Sequence, residues 1–333
     1  MFFLPVNLFF LFFLIMGTVI TVSSTSWFTA WIGLKVNLMS FIPLISIKTQ
    51  KPLSEAAIKY FLIQALGSSI IIMSSCIYLN FQEISMLFMM MAIILKMGAA
   101  PFHMWFPQVM QGLKWPQVII LMTIQKLAPM YLISYLMKSK LMILIILISS
   151  MMSAIFGSLG GINQVLLQKI MAYSSINHMA WMLSAMLISE KSWLMYFFFY
   201  SLISSSVALI FHFNKMNHLS NITNYMTSSN FISFTIPLSL LSLGGLPPFS
   251  SIHSWMNSNS SLFLNSYMYS FIHFTIINPN YIMFLYTNFY YYIYSKPNMK
   301  WFMSSIEKEN FISSSMLFFN MIMLIMPSLF MIY

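Results

Sequence analysis

Lys96 stands two residues before a break in an apolar run that reads Ile93-Ile94-Leu95-Lys96-Met97-Gly98-Ala99-Ala100-Pro101-Phe102-His103. A cation at mid-bilayer costs roughly 2.5–3.5 kcal/mol, so a chain keeps one where it faces protein or water, and Lys96 reads first as a functional group. Lys126 lies in a second run, Gln125-Lys126-Leu127-Ala128-Pro129. Pro129 has no N–H, which frees a carbonyl one turn earlier, near Gln125 and beside the lysine. Lys35 is central in a third run, His178 lies within another beside Tyr173 and Ser174, and His253 follows a second break. Lys59 and Lys169 sit about one turn into their runs and suit snorkelling to the interface as well as a buried role. Lysines stripped of water exchange protons under modest changes in field, and a row of them bridged by water and hydroxyls is a proton path.

Such groups need membrane helices to hold them. Of 333 residues, 59% are hydrophobic and 6% charged, with a mean hydropathy of +0.83. Runs of about 20 apolar residues are long enough to cross a bilayer and too long for barrel strands. The expected fold is all-α, a polytopic bundle of about eleven spans near 2–22, 27–45, 56–79, 84–104, 116–136, 141–160, 163–187, 192–213, 231–255, 266–294 and 312–332. The first run lacks the basic start and cleavage site of a signal peptide, so direct insertion is expected. Loop lysines fall seven against three, which places the N-terminus inside and the C-terminus outside.

The breaks at Gly98–Phe102 and Gly245–Phe249 both fit Gly-x-x-Pro-Phe and lie five spans apart. An odd separation makes the two broken helices antiparallel, as in an inverted repeat. A single domain over 1–333 is expected, with repeats over about 1–137 and 140–295 and an appended helix over 312–332.

Other chemistries find little support. All 15 basic residues are lysines scattered along the chain, without the basic stripe of a nucleic-acid binder. No phosphate-binding glycine loop, metal-spaced His/Cys cluster or acid/base carboxylate pair is present. The single cysteine, Cys76, reads as inert helix packing. His212 and His218 read as surface residues and His273 as a packed one. Ser54 suits a helix N-cap, with Glu55 in the first turn. The bias to Lys, Met, Ile, Phe and Asn suits an A/T-rich genome that reads ATA as Met, as in many mitochondria.

Several motifs in order resemble the mitochondrially encoded antiporter-like subunits of respiratory complex I, the NADH dehydrogenase subunit 2 family. They are Gly17-Thr18-Val19-Ile20-Thr21, Trp31-Ile32-Gly33-Leu34, Glu55 to Leu62, Lys96 to His103, Gln125 to Pro129, Lys169 to Ile176 and Leu241 to Pro248. The resemblance implies a proton-translocating membrane-arm subunit driven by electron transfer from NADH to ubiquinone, in the mitochondrial inner membrane. It implies an N-terminus on the matrix side and a C-terminus in the intermembrane space. No cofactor is implied on this chain; FMN, iron–sulfur clusters and ubiquinone belong to other subunits. Implied partners are neighbouring antiporter-like, small core and supernumerary subunits, and lipids such as cardiolipin. The family's channel lysines match Lys96 and Lys126, and eleven spans match animal forms that lack three helices of bacterial relatives.

Three positions depart from the family pattern. Lys35 stands where the family has Glu; two cations there would titrate as a coupled pair. His253 stands near the family's later channel lysine and titrates near neutrality, at about 6.5, which suits a relay. Gln108 replaces a family Glu and cannot titrate. These departures keep a second reading in view, an assembly scaffold of the same fold with little proton flow. A freestanding cation/proton antiporter is a third, disfavoured by the lack of intramembrane carboxylates.

Overall fold

A computed structural model describes residues 5–46, 51–137, 139–162, 164–187, 189–221, 240 and 243. Among these, the secondary structure is helical, with one isolated bridge between Leu166 and His218. The helices are α1 Pro5–Val22, α2 Trp27–Ser46, α3 Lys51–Ile77, α4 Gln82–Met97, α5 Trp105–Gly112, α6 Trp115–Met122, α7 Ile124–Leu136, α8 Lys140–Gly161, α9 Leu167–Met186 and α10 Glu190–Phe213. Six spans, counting α6 and α7 as one, are long and apolar enough to cross a membrane: α1, α2, α3, α6–α7, α8 and α10. The first eight expected spans coincide with described helices. The later three, the second break, the second repeat's end, His253 and His273 lie outside the described residues.

The chain divides into two units, Met1–Ser153 and Ala154–Tyr333. In the first, α1 and α2 pack through small residues. A Cβ on Gly17 would collide with Asn37 Oδ1, and one on Gly33 would lie 2.8 Å from the Gly17 carbonyl oxygen. Gly17 and Thr21 on α1 face Gly33 and Asn37 on α2, each pair four residues apart, the spacing that lets membrane helices approach closely. A Cβ on Gly112 would lie 2.8 Å from Ala56 Cβ, so α5 sits equally close on α3.

Two spans of this unit are interrupted. At 16 residues α4 is about 24 Å long, short of the roughly 30 Å hydrocarbon core. Gly98 ends it in the left-handed conformation, φ +74°, and its N–H donates to the Ile94 and Leu95 carbonyls. A cis Ala100–Pro101 bond follows before α5. The second interruption, at Thr123 (φ −110°, ψ −84°), separates α6 from α7. The sequence reading put the disturbance one turn before Pro129; the backbone leaves helical geometry at Thr123 and Pro129 itself lies inside α7.

In the second unit, α9 carries Gln168, Ser174, Ser175, Asn177 and His178, all buried. Such a helix can be polar because its neighbours, not lipid, surround it. Asn177 comes so close to Gly157 on α8 that a Cβ there would lie 2.8 Å from the Asn177 nitrogen.

Two local readings are corrected. Ser54 is not an N-cap: α3 begins at Lys51, and the Ser54 hydroxyl donates back to the Lys51 carbonyl inside the helix. Cys76 is exposed rather than packed, because it falls on the outward side of the last turn of α3.

Candidate functional site

The break after Lys96 leaves carbonyls that need partners, and the structure supplies them from three directions. Gly98 and Ala99 donate to the Ile94 oxygen. Trp105 Nε1, from α5, donates to the Leu95 oxygen at 3.1 Å. Gln64 Nε2, from α3, donates to the Lys96 oxygen at 2.9 Å. A helix end at membrane depth needs such donors, because lipid supplies none.

Lys96 itself is 6% exposed and Lys126 2% exposed. Gly67 on α3 makes room for the Lys96 stem; a Cβ there would lie 2.9 Å from Lys96 Cγ and 3.2 Å from Cε. Lys126 Nζ lies 4.9 Å from the centre of the Phe106 ring, a cation–π distance. Both lysines line one cavity of about 20 Å³, enclosed by α2 to α7. Its polar lining comes from Asn37, Tyr60, Gln64 and Gln125, its apolar lining from Leu34, Met97, Phe106 and Leu121. That volume has room for about one water.

The Tyr60 hydroxyl donates to Gln125 Oε1 at 3.3 Å, which fixes the amide. Gln125 Nε2 is buried with no hydrogen-bond partner among the described residues. A buried, unpaired amide N–H costs about 1–3 kcal/mol, so it marks a place where a further acceptor belongs. Tyr60 is held in turn by edge contacts with Phe41 at 5.1 Å and by Trp105 at 6.0 Å.

The structure thus brings Lys96 and Lys126 together, while Lys35 and Lys59 do not line their cavity and His253 lies outside the described residues. Lys35 does not line this cavity; Leu34 and Asn37 of its helix do. The Lys35 ammonium lies over the Trp31 ring at 5.8 Å and bears on Lys96 as a like charge. Lys59 is exposed on α3, beside the buried Tyr60, a position that suits snorkelling. Gln108 is exposed on α5. His178, 8% exposed, belongs to the second unit. Its Nδ1 lies 2.9 Å from the Tyr196 hydroxyl, and its ring 5.0 Å from Tyr200, both on α10. Tyr173, which precedes it by five residues on the same helix, lies against Gly160. Lys169 is half-buried in the same unit, and His212 and His218 are exposed as expected.

Asn37, Tyr60, Gln64 and Gln125 were not singled out from sequence. A signal was there for two of them: Tyr60, Gln64 and Gly67 recur at i, i+4 and i+7, one face of α3. No group of three or more His, Cys, Asp or Glu able to hold a metal occurs among the described residues.

The family model described as NADH:quinone oxidoreductase/Mrp antiporter, TM, matches residues 24–84 and 78–278. The chain is 47% identical over 252 residues to NADH-ubiquinone oxidoreductase chain 2 of Anopheles gambiae, covering 73% of each chain. It is 39% identical over 243 residues to the protein of that name from Pongo abelii, covering 70% of each. Among solved structures it resembles respiratory complex I from Thermus thermophilus with a TM-score of 0.83 at 16% identity, over 97% of this chain and 77% of that one. The Mrp complex from Dietzia sp. gives 0.74 at 12% identity, over 85% and 59%. At such identities the structural likeness speaks for the fold alone. A helical membrane chain whose buried Lys96 and Lys126 share one small cavity, and whose sequence matches this model over most of its length, belongs to the NADH:quinone oxidoreductase/Mrp antiporter membrane family.

Proposed function

We propose that this chain is a proton-translocating subunit in the membrane arm of an NADH:ubiquinone oxidoreductase. The observation that carries the reading is the shared cavity of Lys96 and Lys126, with the unpartnered Gln125 Nε2 at its wall. A water there would accept from Gln125 and relay a proton from the ammonium of one lysine to the neutral amine of the other, at a place that neither lipid nor bulk solvent reaches. Tyr60 keeps the amide in the orientation this requires. In this reading Lys35 modulates Lys96 through its field, His178 and Tyr196 form a second titratable pair farther along the chain, and His253 continues the path. The mitochondrial inner membrane, an N-terminus on the matrix side, neighbouring membrane-arm subunits and bound lipids such as cardiolipin belong to the same proposal. The redox groups stay on other subunits.

The test is proton transfer per NADH oxidised, in the assembled complex, with Lys96→Met and Lys126→Met. The expected result is a fall of at least about tenfold in proton transfer for either variant, with the subunit still incorporated. Unchanged proton transfer at normal incorporation would overturn the proposal. The smallness of the cavity and the neutral Gln108 favour a second reading, a scaffold with little proton flow, and that same null result would select it.

A further inference from the structure

Lys35 is half-buried near the middle of α2, about 12 Å along the axis from Trp27, and it has no carboxylate partner among the described residues. The described glutamates lie elsewhere: Glu83 and Glu190 in the first turns of α4 and α10, Glu55 in the second turn of α3. Lys35 instead lines a groove of about 350 Å³ between α1 and α2, with Phe10, Phe13, Trp31, Ile32, Val36, Met39 and Ser40. The groove is open: Phe13 is 40% exposed and Met39 56%. No anionic side chain lines it. Trp31 Nε1 is buried with no acceptor among the described residues, and the Ser40 hydroxyl is already spent on the Asn37 carbonyl. An ammonium set in apolar walls at membrane depth lacks the counter-charge it requires.

We infer that the α1–α2 groove is the docking surface for a helix of a neighbouring membrane subunit that presents one buried Asp or Glu to Lys35. This rests on the proposed place of the chain in a membrane complex, and not on proton flow through Lys96. Charge complementarity selects the occupant. A carboxylate offers acceptor oxygens and a full negative charge to the Lys35 ammonium. A helix brings it with its own backbone satisfied and with apolar side chains for Phe10, Phe13 and Met39, as an open loop would not. Pairing removes the cost of an uncompensated cation in lipid, and polar contacts of this kind fix the register between membrane helices.

The experiment uses the full chain in its assembled complex. A density map of the purified complex should place a carboxylate oxygen of another chain within about 4 Å of Lys35 Nζ, with a helix seated in the groove. In parallel, Lys35→Glu should cut the fraction of the chain that co-migrates with the complex on a native gel by about tenfold or more, and Lys35→Met by less, because Met leaves the partner charge unpaired but adds no repulsion. The map decides the matter even if the Glu variant is degraded before assembly. A groove filled by lipid tails, a lipid phosphate on Lys35, or an anion from residues 222–333 of this chain would overturn the inference. Proton transfer in Lys96→Met is read separately, so either reading can fail alone.

Discussion

At the scale of single residues, Tyr60 and Gln125 show how the site gains direction. A lysine pair alone has no preferred path between its members. The Tyr60 hydroxyl, by occupying Gln125 Oε1, turns the amide so that its two N–H groups remain for another acceptor. Tyr60→Phe removes that bond and lets the amide rotate. We expect it to destabilise the subunit by only about 1 kcal/mol. Proton transfer per NADH in the assembled complex should fall roughly threefold, the share expected when a positioned amide loses its anchor. A drop in assembly as large as the drop in proton transfer would show Tyr60 to be packing only. The two lysines were legible from the sequence because a cation in an apolar run is costly wherever it lies. Tyr60 and Gln64 were not, because a polar residue in a membrane helix is unremarkable until its face is known to turn inward.

At the scale of elements, the two interruptions do the positioning. Gly98 allows α4 to stop at Met97, and the carbonyls so freed are bonded by Trp105 and Gln64, each of which also lines the cavity. The break and the site are therefore one construction. Gly98→Ala tests it. The φ of +74° costs a Cβ-bearing residue about 1–2 kcal/mol, and the new Cβ would lie 3.1 Å from Phe106 Cβ, the residue under Lys126. A thermal midpoint lowered by several degrees is expected for the detergent-solubilised complex, with proton transfer reduced alongside it; an unshifted midpoint would mean that the loop relaxes freely. The first break was legible because Gly and Pro in an apolar run can mean little else. The interruption at Thr123 was not expected: Pro129 pointed only to a freed carbonyl near Gln125, whereas the departure at Thr123 depends on how α6 and α7 pack.

For the whole molecule, the expectation from loop lysines and apolar runs, about eleven crossings with the N-terminus inside, has a direct test. Lys51 opens α3 on the side assigned to the matrix, which carries Cys76, one residue before the end of that helix, to the opposite face. Cys76 is the sole cysteine and is exposed. A membrane-impermeant maleimide added to the intermembrane-space side should label it, and the same reagent confined to the matrix side should not. Labelling from the matrix alone would reverse the orientation of every helix. The His178–Tyr196 pair belongs to the second unit, and its role in a path is open to the same kind of substitution test as Lys126.

By itself the sequence determined the class of molecule, the first eight spans, the position of the first break and the two deep lysines. All of these follow from local quantities: run length, the cost of a charge in lipid, and the backbone habits of Gly and Pro. Only the tertiary structure decided that Lys96 and Lys126 share a cavity, that Lys35 turns away from it into a groove over Trp31, and that His178 meets tyrosines of α10. Those facts depend on the rotation of each helix about its axis. Rotation is set by which small residues let neighbouring helices approach, as Gly17 and Gly33 do, and that is a property of pairs of helices, not of any one run of residues.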